Sequence, residues 1–363
     1  ICSIFRELNS KTSLKMTYSA FHGVGSKFAR RMFSEFGFPE EAFSYVKEQD
    51  EPNPDFPTVS FPNPEEGHSV LKLCYQTADE NNATLVLAND PDADRLQIAE
   101  KQPDGEWHVF TGNEMGTLLT WWIWTQWHQR NPQIPSENVY ILNSAVSTQI
   151  VSTMAKFEGF KNDVSLTGFK WIGNLAHKLR SEGKLVILAW EESIGFSPGT
   201  TLDKDGISAA AVFAEMANFL TSQHSLNLKK QLYKIYNKYG FHLNRNSYWN
   251  VPNNEIIKNL FNDLRQDGNY PKFIGEDSLD NKYMVKYVRD LNTDMITFTL
   301  TTGSLITLRA SGTEPKIKYY IELKTEPGKT ENDLEQIEAE LFQLEINVVN
   351  NLLKPEKYGL LSR

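Results

Sequence analysis

The sequence predicts an α/β protein: two similar three-layer α/β/α domains followed by an α+β domain, a four-stranded antiparallel sheet with helices. Three observations predict it. Buried-type apolar runs alternate with helix-period patterns through the first two-thirds of the chain. One pattern occurs twice, as ENNATLVLANDPDADR (80–95) and SEGKLVILAWEESIGF (181–196): polar turn, apolar strand, acidic loop, then an apolar helix opened by a Gly. Beyond residue 246 the alternation gives way to four strand-like runs in close succession. The expected domain spans are 1–127, 128–245 and 246–363.

In chain order, KMTYSAFHGVGSKFARRMFSEFGF reads as a strand at 16–21, a Gly-containing turn and a helix at 24–36. A strand follows at 83–90 and a helix from Asn113. The proline-rich stretch 51–67 reads as a loop, because strands resume after it. In the second domain, 139–142 is a short strand and SAVSTQIVSTMAKFEGF a helix ending at Gly159. The run 185–190 is a further strand, and DGISAAAVFAEMANFL a helix with Asp205 as its cap. Parallel strands in such units place ligands at their C-terminal ends, where both acidic loops fall. In the third domain YMVKYVRD, MITFTL, SLITLRA and KIKYYIEL are separated by short turns. The closing helix repeats Leu334, Ile337, Leu341, Leu344 and Val348 at three and four residues, with Pro355 beyond its end.

Composition excludes several classes. The net charge is −9, with 37 Lys and Arg against 46 Asp and Glu. No broad basic field exists for a nucleic acid or a membrane surface, although a local cluster suffices for a small anion. Cys2 and Cys74 cannot build a disulfide framework or a thiolate zinc site, and read as idle thiols of a reducing, cytoplasmic compartment. No apolar run approaches the ~20 residues of a membrane span. The start ICSIFRELNSK has no signal-peptide pattern and no initiator Met, so Ile1 reads as the middle of a longer chain.

The strongest chemical motif is Asp90-Pro91-Asp92-Ala93-Asp94-Arg95. Three alternating carboxylates after a buried strand converge on one point, and that much like charge calls for a cation, Mg²⁺ or Ca²⁺. The EF-hand pattern fails, because Arg95 and Lys101 stand where Gly and Glu are required. A merely acidic, solvated turn leaves Arg95 unexplained; a phosphoryl group bridging metal and guanidinium explains it. The second motif, Arg309-Ala310-Ser311-Gly312-Thr313-Glu314-Pro315-Lys316, offers a guanidinium, two hydroxyls and approachable backbone N–H groups to a phosphate. A plain hairpin turn is the competing reading. Glu191, Glu192 and Ser193 at a strand end can meet sugar hydroxyls, and Lys204 adds positive charge near a phosphate. Thr167-Gly168-Phe169-Lys170 and Asp203-Lys204-Asp205-Gly206 read equally as turns or caps. His22 reads as a packed residue.

Taken in order, HGVG, DPDADR, TGFK, EES-x-G, KDG and RASGTEP resemble domains two to four of the α-D-phosphohexomutase superfamily, over essentially the whole chain. TGFKWIGN, EESIGF, LDKDGISAA and SGTEPKIKYY look most like its eukaryotic phosphoglucomutase-2 / phosphopentomutase branch. The resemblance implies Mg²⁺ on Asp90, Asp92 and Asp94, and Arg95 near a phosphoserine. It implies substrate contacts at Thr167, Gly168, Glu191, Ser193 and Lys204, and a phosphate loop of Arg309, Ser311, Gly312 and Thr313. The implied partners are sugar phosphates and bisphosphates, and the implied activity an isomerase that moves phosphate between C1 and a terminal hydroxyl of ribose, deoxyribose or glucose. The alternatives are a glucose 1,6-bisphosphate synthase and a non-catalytic sugar-phosphate binder. The family's Ser-His-Asn-Pro loop has no counterpart; Gln223-His224-Ser225-Leu226-Asn227 lacks its order and its proline. The chain therefore reads as the C-terminal three domains, inactive alone. Trp190, where many relatives carry Gly, is expected to narrow the sugar pocket.

Overall fold

The computed structural model describes residues 2–59, 61–277, 280–290, 293–311 and 314–362. It falls into two compact units, Ile1–Tyr233 and Lys234–Arg363. The first holds two sheets of matching design. Strands β1 (Met16–Ser19), β2 (Phe43–Tyr45), β3 (Leu85–Asn89), β4 (Leu96–Lys101) and β5 (Trp107–Val109) form a sheet ordered β2-β1-β3-β4-β5. Strand β1 runs parallel to β2 and β3, and β4 returns antiparallel to β3. Strands β6 (Val139–Ser144), β7 (Lys161–Ser165), β8 (Leu185–Glu191) and β9 (Gly195–Pro198) form the second, ordered β7-β6-β8-β9, with β9 antiparallel to β8. The sequence repeat is thus a structural one. In each copy the acidic loop joins a buried central strand to its antiparallel neighbour.

The helices of this unit are α1 (Arg6–Asn9), α2 (Gly25–Glu35), α3 (Lys72–Glu80), α4 (Gly112–Arg130), α5 (Ile150–Glu158), α6 (Phe169–Ser181) and α7 (Gly206–His224). Helix α3 packs on β1 and β3, and α6 on β6 and β8. The other two large helices cross over: α4 follows β5 but packs on β8, while α7 follows β9 and also packs on α2, β3 and β4. This exchange accounts for their composition. A helix covered on several sides cannot show one polar face, and α7 buries fourteen of its residues from Gly206 to Leu220. Helix α8 (Leu228–Tyr239) follows, its first amides, Leu228 and Lys229, accepted by the buried Glu100 carboxylate at 2.7 and 3.1 Å.

The second unit is built on one antiparallel sheet. It comprises β10 (His242–Asn250), β11 (Phe273–Glu276), β12 (Lys282–Asp290), β13 (Met295–Leu300), β14 (Leu305–Ala310) and β15 (Lys316–Lys324), ordered β10-β15-β14-β13-β12-β11. Helix α9 (Asn254–Arg265) follows β10, and α10 (Leu334–Val348) packs on β10, β11 and β15. The four expected strands are present as β12–β15. The sheet has six because β10 pairs with β15 over nine residues and β11 joins the other edge. The run HLNRNSYWN shows no apolar alternation, since Arg245 and Ser247 occupy the face whose partners on β15 are Ile321 and Tyr319. Among the described residues no helix is long and apolar enough to cross a membrane.

Candidate active site

The acidic loop leaves β3 at Asn89, and its three aspartates present carboxylate oxygens that all lie within 4.8 Å of one another. Asp90 is buried, Asp94 half-buried and Asp92 exposed, so the cluster opens outward on one side. Local geometry is fixed from within. Asp90 accepts the Arg95 backbone N–H at 2.9 Å and its Nε at 2.6 Å. Asn89 Nδ2 donates to the Arg95 carbonyl at 2.6 Å, and Tyr18 donates its hydroxyl to Asn89 at 2.7 Å. Ala93 adopts a left-handed φ of 61° to make the turn.

Two other motifs clamp the loop from outside. Val24 N donates to Pro91 O at 2.9 Å, and Gly206 N to Ala93 O at 3.2 Å. A Cβ on Gly23 would sit 2.2 Å from Pro91 Cα, and one on Gly206 2.4 Å from the Arg95 carbonyl. HGVG and KDG therefore earn their glycines by close approach to the acidic loop. His22 between them is scaffolding: it is buried, and its Nε2 lies 2.8 Å from Thr58 Oγ1. Burial pushes Asp90 up to about 6; Arg95 opposes the shift and neighbouring Asp92 adds to it.

The second acidic loop lies beside the first. Arg95 and Gly195 form a β-bridge, and Leu96 N donates to Ile194 O at 3.1 Å. Glu192 is an anchor, its carboxylate held by Ser144 Oγ at 2.6 Å and Ser147 Oγ at 3.0 Å. Glu191 makes no such bond among the described residues. Burial pushes it up to about 7, with Glu192 adding and Lys204 opposing. Ser193 is half-buried. Lys204 Nζ lies 3.0 Å from Asp94 and 5.3 Å over the Phe169 ring. Through Phe169 the Thr167-Gly168 turn joins the site; Gly168 caps α6 at φ 98°.

Asp90, Asp92, Asp94, Arg95, Glu191 and Lys204 thus come together as one charged cluster. Sequence reasoning missed two members: Arg95 Nη1 donates to Asn63 at 2.9 Å and lies 3.8 Å from Glu65. Both belong to the proline-rich loop, whose pattern signals a turn and nothing of its destination. Trp190 is fully buried, its six-membered ring filling the space a Cβ on Gly116 would enter at 2.4 Å, so it packs β8 onto α4. Gln223–Asn227 closes α7, with Ser225 in a left-handed turn at φ 53°.

In the second unit, Arg309 stands one residue before the end of β14, half-buried and paired in register with Lys318 and Met295. The loop after it begins with Ser311, whose N–H donates to Lys316 O at 2.8 Å. Lys316 pairs with Glu314 at 3.0 Å. Gly312 and Thr313 lie outside the described residues.

Residues 2–105 match phosphoglucomutase/phosphomannomutase α/β/α domain II, and 111–239 match domain III. The chain belongs to this family. Human phosphopentomutase is 44% identical across 98% of the chain, and human glucose 1,6-bisphosphate synthase 46% across all of it. The chain spans 60% of the length of each. The fold is that of the Paramecium phosphoglucomutase parafusin, with TM-score 0.70 at 18% identity over 98% of this chain and 60% of that one. It is also that of the Aspergillus fumigatus N-acetylphosphoglucosamine mutase solved with GlcNAc-6P and magnesium, with TM-score 0.55 at 13% identity over 94% of this chain and 68% of that one. The two acidic loops described above fall one in each matched phosphoglucomutase/phosphomannomutase domain.

Proposed function

We propose that this chain carries the cation, sugar and phosphate sites of a phosphotransferase that interconverts sugar 1-phosphate and sugar 5- or 6-phosphate. Its sugars are ribose, deoxyribose and glucose, and the route is a bisphosphate intermediate. The observation that carries the reading is the convergence of Asp90, Asp92 and Asp94 within 4.8 Å, edged by Arg95 and Lys204. Three hard oxygen donors fit Mg²⁺ and leave coordination positions for a phosphoryl oxygen and water. Bound there, Mg²⁺ supplies Lewis-acid stabilisation of charge on a transferring phosphoryl group.

The chain's own residues do the rest. Arg95 is held by Asp90 through Nε and by Asn63 through Nη1, which leaves Nη2 to meet a phosphoryl oxygen. Glu191 and Ser193 orient sugar hydroxyls, with Thr167 and Gly168 on the adjoining turn. Lys204 is within reach of a phosphate bound beside Asp94. Arg309, Ser311, Gly312 and Thr313 anchor the non-transferring phosphate. The domains run 1–127, 128–245 and 246–363, with α4 and α7 each reaching onto the other's sheet. The serine that carries the phosphoryl group lies outside these 363 residues, and the chain alone gives no mutase turnover.

The test is Asp92→Ala in the whole protein, assayed with ribose 1-phosphate and glucose 1-phosphate. Mg²⁺-dependent turnover disappears, and full retained activity sinks the assignment. Arg309→Ala raises KM more than it lowers kcat; an effect confined to kcat places the anchor elsewhere. A glucose 1,6-bisphosphate synthase is the second reading, supported by the 46% identity to that enzyme. Formation of glucose 1,6-bisphosphate from 1,3-bisphosphoglycerate and glucose 1-phosphate, faster than isomerisation, selects it.

A further inference from the structure

A cavity of about 470 Å³ opens in the first unit away from the acidic loops. One wall is the start of β8, Leu185 to Ile187, and the turn after β9 at Gly199 and Thr200. Glu191 lies at the other end of β8, about 13–20 Å away at ~3.3 Å per residue. The lining also takes in the second half of α4, with Trp122, Ile123 and Trp127, and Cys2 and Ile4 ahead of α1. The walls are predominantly apolar, and the volume lies within the range that takes a small organic molecule.

Three cations line this cavity: Arg130, Arg180 and Lys184. Among the described residues none forms an ion pair with a carboxylate. Arg180 donates only to backbone carbonyls, from Nη1 to Thr200 and Thr201 and from Nη2 to Val186 and Gly199. Arg130 donates Nε to Gln126 O at 2.9 Å, and Lys184 reaches Asn138 Oδ1 at 3.3 Å. The one acid in the lining, Glu215, is already engaged. It accepts the backbone N–H groups of Ile4 and Phe5 at 3.0 Å, Asn9 Nδ2 at 2.9 Å and the Ser3 hydroxyl. In a chain of net charge −9, three cations without acidic partners around an apolar hollow form a local positive field. Burial holds Arg180 below its usual range, as expected of a cation lacking a counter-charge.

We propose that this cavity binds an organic anion with an apolar body, seated between the α4 tryptophans and β8, its charged group facing Arg130 and Lys184. Apolar area supplies the affinity and the unpaired cations select the charge. The site is separate from the acidic cluster and does not rest on the activity proposed for it.

The probe is 8-anilinonaphthalene-1-sulfonate, titrated by fluorescence against the folded chain, with circular dichroism confirming the fold of each variant. A single saturable site with Kd of about 10 µM is expected. Arg130→Glu with Lys184→Glu weakens it about tenfold or more, and Ile187→Trp, which fills the hollow, abolishes it. Lys72→Glu, elsewhere on the surface, and Asp92→Ala leave it unchanged. Decanoate competes, whereas inorganic phosphate at equal concentration does not. Unsaturable binding, binding indifferent to the double charge reversal or to Ile187→Trp, or displacement by phosphate alone overturns the proposal.

Discussion

Gly23 gives the acidic loop room, and Gly206 gives it room and a hydrogen bond from its N–H to Ala93 O. Each lies where a Cβ would strike loop backbone, at 2.2 Å from Pro91 Cα and 2.4 Å from the Arg95 carbonyl. Backbone cannot swing aside as a side-chain tip can, so the loop itself must move. Gly23→Ala is expected to cost about 2–4 kcal/mol by overpacking and to displace the aspartates. Urea unfolding reads the first effect. Loss of the Mg²⁺-induced rise in melting temperature, with most of the secondary structure retained, reads the second. Legibility at this scale follows distance along the chain. Asp90, Asp92, Asp94 and Arg95 announce themselves because their chemistry fits within six consecutive residues. Asn63 does not, because its partner Arg95 lies 32 positions away and no local pattern encodes that reach. Glu191 and Glu192 look alike in sequence; the serines Ser144 and Ser147, more than forty positions away, decide which becomes an anchor.

At the scale of elements, α7 carries one acid deep in an apolar surface. Glu215 is 1% exposed and gathers donors from the segment 3–9, while Asn218 one turn later bonds Asn9 at 3.1 Å. Those contacts dock α1 and fix its register on α7. Glu215→Ala strands several buried donors at once, and a loss of about 2–4 kcal/mol is expected. Hydrogen exchange at Ile4 and Phe5 accelerates more than at the β3 core; uniform acceleration would show that the segment is not docked independently. The largely apolar run of α7 and the tryptophans of α4 are visible in sequence, and both helices are enclosed. Which sheet encloses them is unreadable, because packing partners are set by topology and not by periodicity. The repeated strand-and-acidic-loop pattern is readable, and it gives the matched sheet orders.

For the molecule as a whole, two acids of the cluster give stability a definite pH dependence. Folded Asp90 keeps its proton up to about 6 and Glu191 up to about 7, against ordinary values of 3.8 and 4.5. Between those limits the folded state binds more protons than the unfolded one, so stability falls as pH rises through the window. Asp263 and Asp333 are held below 3.8 by their partners and act at lower pH, with the opposite sign. Melting temperatures across the window show the slope. It flattens in Glu191→Gln and again with saturating Mg²⁺, which favours the ionised Asp90; a slope unchanged by both contradicts the cluster's electrostatics. The whole-molecule outline of paired α/β layers and an antiparallel terminal sheet is legible from patterning. The edge strand β10 is not, since pairing with β15 through backbone bonds asks no apolar alternation of it.

The bridge between Arg95 and Gly195 joins the two acidic loops by main chain alone. That main-chain join asks nothing of the side chains at 191 and 193. Variation there leaves the backbone frame of the aspartates in place, while a charge at 191 is still felt by Asp94 and Lys204. On the function proposed above, such a scaffold lets recognition diversify while the frame of the reacting site is inherited.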